Sequence, residues 1–335
     1  MPNGSASLQH LLVIGGAGFI GSEFVRSQLR ERPTLRITIL DRLSHGGSDN
    51  GLEELFDDTR IMLVKGDARD ERIVRQLARD TDATVNFATD WATNDFLDVG
   101  AAVHADAHGT CVLLEAAKEF RHQRFVQVST DEVYGHAEGC REVDEVHPRN
   151  PYLASKVAAE MMVMAYQASY GLPTLITRGC RTFGPYQDPR SGMALQITRA
   201  LQGLPVPVAG DGSGAHDYIH VEDHASAIGA VLRSGVPGHV YNIGCGQQLT
   251  TMAVTETVLE HCDRPTFLKD FVDDPAEDDI GYSVSCEAIQ RLGWRPTTTF
   301  SDGVRATVSW YRSHSGWWYD RQAEATIQHR EAALA

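Results

Sequence analysis

Along the first half of the chain, short apolar runs alternate with longer stretches in which apolar residues recur every three or four positions. The runs at 11–15, 36–41, 60–65, 83–88, 124–129 and 173–178 have the length and continuity of strands buried on both faces. Between them, the amphipathic stretch Ser22–Arg32 and the Ala-rich stretches Ala101–Glu119 and Tyr152–Tyr170 predict helices. Met161, Met162 and Met164 in the last of these read as core or interface packing. Strand–helix alternation of this kind predicts the α/β class, a doubly wound parallel sheet covered on both faces.

From Gly179 the rhythm breaks into Gly/Pro-rich loops, such as Phe183–Pro189 and Ala209–Gly214. Tyr218–Val221 and Val240–Gly244 have strand character and are expected to return to the first sheet. The predicted organisation is a sheet domain of residues 1–178 plus about 219–246. A smaller α/β substrate lobe would comprise about 179–218 plus 247–330, including the turn Gly293–Pro296. A ligand is expected between the two, at the carboxyl ends of the strands.

The first apolar run feeds into Gly15, Gly18 and Gly21, at G-x-x-G-x-x-G spacing, and then into the first helix. Such a turn lets a diphosphate approach the backbone and rest on the positive end of that helix. The second strand ends in Asp41, 20 residues beyond Gly21, where a ribose hydroxyl needs an acceptor. Strand, helix and acid in register predict a Rossmann site for NAD rather than NADP, whose extra phosphate Asp41 would repel.

Composition narrows the partners. The chain has 335 residues, 42% of them hydrophobic, with 30 basic residues against 45 acidic and a formal charge of −15. Nucleic acid and anionic membrane both need a basic face, so neither is expected. Cys111, Cys140, Cys180, Cys245, Cys262 and Cys286 form no C-x-x-C pair and read as reduced thiols of a cytoplasmic protein. No signal peptide or membrane-length apolar run is evident.

The fifth strand runs into Thr130, Asp131 and Glu132, and Tyr152 and Lys156 follow some twenty residues later. A Tyr and a Lys four apart share one helix face, where the ammonium lowers the phenol pKa from about 10 and makes Tyr152 a usable base. Two adjacent carboxyls in different environments supply an acid and a base. His220–His224 looks ligand-like, but no third ligand stands at a workable spacing, and no metal is expected there.

Together these segments resemble the extended short-chain dehydrogenase/reductase superfamily, and within it nucleoside-diphosphate-sugar 4,6-dehydratases of the dTDP-glucose type. The likeness is carried by GGAGFIGS at 15–22, GDARD at 66–70, STDEVYG at 129–135, NPYLASK at 150–156, TRGCRTFGPYQ at 177–187, GDG at 210–212, VEDH at 221–224 and WYRSHSGWW at 310–318. The resemblance implies that Phe19, Ile20, Asp67 and Ala68 also line the NAD site and that Lys156 holds the cofactor ribose. It implies Tyr152 as base for a sugar hydroxyl and Thr130 as its hydrogen-bond partner. Glu132 then takes the proton next to the new ketone, and Asp131 protonates the departing hydroxyl. A homodimer through Ala101–Glu119 and Tyr152–Tyr170 is implied as well.

The substrate half departs from the family pattern. Asn86–Phe96 replaces a segment close to HLAAESHVDRS, with Asp90 in its middle as a candidate substrate contact. Arg181 stands for an asparagine near the substrate diphosphate, His216 for an arginine, Ala209 for an aromatic, and the acidic stretch 273–281 for a basic one. A diphosphate needs cationic donors. The expectation is therefore a dehydratase on a substrate without one, such as a nucleoside or a free or monophosphorylated sugar. An ordinary dTDP-glucose 4,6-dehydratase and an NAD-dependent sugar epimerase are the alternatives, with a dinucleotide-sensing regulator as the non-enzymatic one. The carboxyl pair argues against the epimerase, and the Tyr/Lys pair against the sensor.

Overall fold

The computed structural model describes residues 8–44, 51–55, 57–89, 99–135, 138–273, 283–319 and 321–322. Its centre is a seven-stranded sheet of β1 (His10–Ile14), β2 (Arg36–Asp41), β3 (Ile61–Lys65), β4 (Ala83–Asn86), β5 (Arg124–Thr130), β6 (Thr174–Gly179) and, later in the chain, β10 (Val240–Ile243). The spatial order is β10-β6-β5-β4-β1-β2-β3, with every pairing parallel. Six of these strands are the expected runs, with ends shifted by at most two residues.

Helices cover both faces. α1 (Phe19–Glu31) and α7 (Val221–Ser234) pack together on one side. On the other lie α2 (Glu71–Ala78), α3 (Val99–Val103), a π-helical segment (His104–His108), α4 (Gly109–Glu119) and α5 (Pro151–Tyr170). α5 is delimited as its sequence dictates. Asn150 caps it by accepting the Leu153 N–H at 2.8 Å, Pro151 occupies the first turn, and Gly171 ends it at φ +66°.

The smaller lobe is built from β7 (Arg181–Phe183), α6 (Gly192–Gln202), β8 (Val206–Ala209), β9 (Ala215–His220), β11 (Gln248–Thr250), α8 (Thr251–His261), β12 (Lys269–Val272) and α10 (Phe300–Ser313). Its core joins Phe183, Ile197, Val258, Val308, Tyr311 and Trp318.

Two expectations are corrected here. The strand predicted at Tyr218–Val221 does not return to the main sheet. It is part of β9, which pairs with β7 and β11, because β7 offers it a parallel edge from Arg181 to Phe183. Nor does the tail belong wholly to the smaller lobe. Val284, Cys286, Ile289 and Trp294 join the core beneath α7, with α9 (Glu287–Arg291) against β10. The Trp294 indole donates to Ser226 Oγ at 2.8 Å.

One buried ion pair ties α5 to the sheet. Arg178, on β6, donates through Nη2 to Glu160 Oε2 at 2.6 Å, and both side chains are almost fully buried. The guanidinium carbon also lies 4.6 Å from the centre of the Tyr134 ring, whose hydroxyl donates to Asn242 Oδ1 at 2.8 Å. Helix α5, β6, β10 and the turn after β5 are thus pinned at one point. Removing one partner of such a pair leaves a buried charge without its counter-ion, at a cost of about 3–5 kcal/mol. Glu160→Ala is expected to lose that much in denaturant titration, and a loss below about 1 kcal/mol would refute this role.

Candidate active site

The sheet changes winding direction at β1, which has β2 on one side and β4 on the other. In open α/β sheets the ligand crevice opens at such a point. Gly15, just past β1, has φ +70°, and a Cβ there would lie 2.9 Å from the Ala88 nitrogen beyond β4. At Gly21 a Cβ would collide with the Gly15 carbonyl oxygen. Gly18 caps α1 without a side chain, and the first turn holds no acid. The positive end of α1 is therefore left to an anion from outside.

Asp41 closes this cradle. Its Oδ2 accepts the Ala17 N–H at 3.0 Å and its Oδ1 the Leu43 N–H at 2.9 Å. Phe19 and Ile20 open α1, directly after the cap. Asp67, beyond β3, is paired with Arg69 at 2.6 Å, whose hydrogen bond holds its carboxyl below the usual range, and Ala68 is buried beside it. The glycine and acid geometry fits a dinucleotide diphosphate and ribose.

The other candidate residues gather at the carboxyl end of β5. Thr130 caps a short 3-10 turn, Asp131–Tyr134, its hydroxyl oxygen accepting the Glu132 N–H at 3.3 Å. This turn sends the two neighbouring carboxyls into different surroundings. Asp131 is buried, and its Oδ1 has no hydrogen-bond partner among the described residues. Burial, reinforced by the nearby charges of Glu132 and Asp217, pushes its carboxyl well above the usual aspartate range, against the pull of Arg181. Glu132 is only half-buried. Burial thus favours the protonated form of one carboxyl, while its neighbour is half-buried.

Tyr152 and Lys156 come from the first two turns of α5, and Lys156 Nζ lies 5.6 Å from the Tyr152 ring centre. The expected drop in the phenol pKa is not what the surroundings produce. Burial raises it, Lys156 pulls it down, and Asp106 and Glu132 push it up again. The Thr89 hydroxyl also faces the phenol.

Arg181, on β7, reaches the same cluster and acts on Asp131. His216, expected as a substrate contact, lies on β9 (Ala215–His220) near Arg181. It is buried, and desolvation followed by the neighbouring Arg181 charge lowers its pKa to about 3, so it is neutral. Asp90 lies outside the described residues, as do 274–282 of the acidic stretch, while Asp273 is exposed. The VEDH turn makes structural contacts. The Asp223 carboxylate accepts the Thr297 and Thr298 N–H groups at 3.0 and 2.8 Å, and the Thr182 hydroxyl lies 2.7 Å from His224 Nδ1.

Sequence reasoning missed two carboxyls. Asp217 is buried near Asp131, with Oδ2 accepting the Gly246 N–H at 2.8 Å. Asp106, in the π segment, accepts from Lys156 Nζ at 3.1 Å and from Ser155 Oγ at 2.7 Å. The apolar pattern of its helix gave no sign of either contact.

The arrangement fits a dinucleotide-dependent enzyme site, with two adjacent carboxyls beside the Tyr152–Lys156 pair. Comparison with known proteins is consistent with that class. The model of the NAD dependent epimerase/dehydratase family matches residues 11–244, and the chain belongs to this family as one of its NAD-dependent enzymes. It is 42% identical over 90% of its length to the low-salt glycan biosynthesis protein Agl12 of Haloferax volcanii, covering 98% of that protein. It is 38% identical to a dTDP-glucose 4,6-dehydratase of Actinoplanes, covering 92% of this chain and 99% of the relative. A dTDP-glucose 4,6-dehydratase from Streptomyces venezuelae, solved with NAD bound, superposes with a TM-score of 0.89 at 36% identity, over 93% of this chain and all of the other.

A carboxyl held protonated by burial keeps its proton on folding while the unfolded chain releases it above about pH 4. Asp131 therefore costs stability as pH rises through and beyond the ordinary aspartate range. Asp131→Asn is expected to melt higher than the wild type at pH 7, with the difference vanishing toward pH 4. A difference in melting temperature independent of pH would contradict the buried, protonated state.

Proposed function

We propose that the chain is a nucleoside-diphosphate-sugar 4,6-dehydratase that uses NAD and acts on dTDP-glucose or a close relative. The observation that carries this reading is the buried Asp131 beside the half-buried Glu132, placed next to the Tyr152–Lys156 pair. An epimerase oxidises and reduces without losing water, and has no use for that pair. The expectation of a substrate lacking a diphosphate finds no support. Relatives at 35–42% identity are named for nucleotide sugars or glycan biosynthesis. Moreover, Arg181 places a cation in the cluster.

Gly15, Gly18, Gly21 and Asp41 hold the cofactor diphosphate and ribose, with Phe19, Ile20, Asp67 and Ala68 alongside. Bound NAD supplies the acceptor for a hydride from the sugar and its later donor. Tyr152 takes the proton of the C4 hydroxyl as hydride leaves that carbon, and Thr130 donates a hydrogen bond to the same oxygen. Lys156 stabilises the phenolate and holds the ribose. The C4 ketone acidifies the C5–H bond, and Glu132 removes that proton. Asp131 gives its proton to the C6 hydroxyl, which departs as water. With the hydride given back at C6, Glu132 would deliver a proton to C5, leaving the 4-keto-6-deoxy sugar.

Two expected outcomes follow from this division of labour. In single-turnover absorbance, Tyr152→Phe should form no reduced nicotinamide. Glu132→Gln should accumulate it without releasing water, and normal water loss by that variant would remove Glu132 as the base. Calorimetry on the NAD-loaded protein should show micromolar binding of dTDP-glucose or UDP-glucose. Binding of nucleosides with rejection of both sugar nucleotides would overturn the substrate reading.

A homodimer through α4 and α5 also belongs to this reading. Met161 and Tyr170 are exposed on α5, and the Lys118 ammonium of α4 lies 4.4 Å from the Tyr170 ring centre. Light scattering at micromolar concentration should give twice the chain mass, and a monomer would refute it.

A further inference from the structure

The helix that precedes β5 is interrupted where it passes α5. Val99–Val103 and Gly109–Glu119 are α-helical, but His104–His108 between them is π-helical. Such bulges change which way a residue faces, and they concentrate at functional sites. Here the bulge carries Asp106, whose carboxylate is 2% exposed and has both oxygens engaged by α5. Oδ1 accepts from Lys156 Nζ at 3.1 Å, and Oδ2 accepts from Ser155 Oγ at 2.7 Å. The Ser155 hydroxyl is also 2.7 Å from the Tyr152 carbonyl oxygen. One carboxylate thus grips two consecutive residues of α5, one of which faces the Tyr152 ring.

We propose that Asp106 is a positioning residue that fixes the Lys156 ammonium and, by its own negative charge, sets how strongly that ammonium acidifies Tyr152. A lone ammonium beside the ring would depress the phenol pKa without opposition, and its flexible stem would leave it free to move. An anion 3.1 Å away holds the ammonium in place and cancels part of its field. The pair is buried, so water screens this opposition little.

The groups around both residues fit this account. Facing the phenol are Lys156 and Glu132, the Thr89 hydroxyl and Asp106. Facing the ammonium are Asp106, Tyr152 and Glu160, the last already engaged by Arg178. Burial pulls the ammonium down, and Asp106 leads the groups that raise it again, for a net shift above the usual lysine range. Asp106 leads the anions that favour the charged ammonium, with Tyr152 and Glu160 acting in the same sense. The Asp106 charge holds Tyr152 a weaker acid than Lys156 alone would make it.

The inference rests on Tyr152 as the base, and not on the identity of the sugar nucleotide. It is tested without substrate. The near-ultraviolet phenolate absorbance of the whole protein is titrated with and without Tyr152→Phe, and the difference is the Tyr152 curve. The same subtraction is made in an Asp106→Asn background, which keeps the shape of the side chain and removes its charge. Asp106→Asn is expected to raise the Tyr152 ionisation constant severalfold, moving its titration to lower pH. Coincident curves, or a move to higher pH, would overturn the proposal, because a purely structural contact leaves the phenol unmoved. Should Asp106→Asn not fold, Ser155→Ala decides, since it frees one carboxylate oxygen and keeps the charge. Weaker NAD retention with an unmoved Tyr152 titration is expected there, and unchanged retention would overturn the positioning role. Failure to turn over dTDP-glucose would refute the substrate reading and leave this titration standing.

Discussion

The proposed chemistry depends on keeping one carboxyl dry while its neighbour in sequence is only half-buried. Asp131 and Glu132 share a short turn at the end of β5, in which the first is buried and the second half-buried. Desolvation pushes the Asp131 carboxyl up. On the proposed reading Asp131 is the acid and Glu132 the base, two roles that need two environments. The nearby charges of Glu132 and Asp217 push Asp131 the same way as burial does.

This division is useful only if the oxidising pair is held against it. The Glu160–Arg178 ion pair supplies the mechanical link, because Glu160 lies one helical turn beyond Lys156 on α5 and Arg178 lies on β6. Tyr134 ends the turn that carries Asp131 and Glu132, and it packs on the same guanidinium. Its hydroxyl reaches Asn242 on β10, so four elements are fixed relative to one another. The cofactor cradle at β1 is set by a separate constraint, the close approach of Gly15 to the chain beyond β4. Two rigid frames therefore meet at the carboxyl ends of the parallel strands.

Much of this was legible in the sequence because parallel strands buried on both faces must be continuously apolar. Leu11–Ile14 and Ile37–Leu40 announce themselves, and the glycines and Asp41 follow in register. The Tyr152–Lys156 spacing was equally plain, since an α-helix puts residues four apart on one face. Other features were not legible for physical reasons. The apolar residues of β9 show that it is buried, but not which sheet edge receives it. His216 stands for an arginine in the sequence, but only the strand pairing shows that it is buried, where desolvation lowers its pKa to about 3. Asp106 sits in a helix whose π segment breaks the regular period, so no 3.6-residue pattern could place it beside Lys156. The return of Val284–Trp294 to the first core depends on packing against α7 and β10, which local pattern does not encode.

The central claim is that one site performs both an oxidation and an elimination, with the cofactor restored in each cycle. The most direct measurement is product analysis by mass spectrometry after incubation with dTDP-glucose in deuterated water, with no nicotinamide added to the NAD-loaded protein. The account predicts a product lacking one water and carrying one solvent deuterium at carbon 5, over many turnovers and with no net accumulation of reduced nicotinamide. A product of unchanged mass, or one oxidised equivalent per protein and no more, would contradict it.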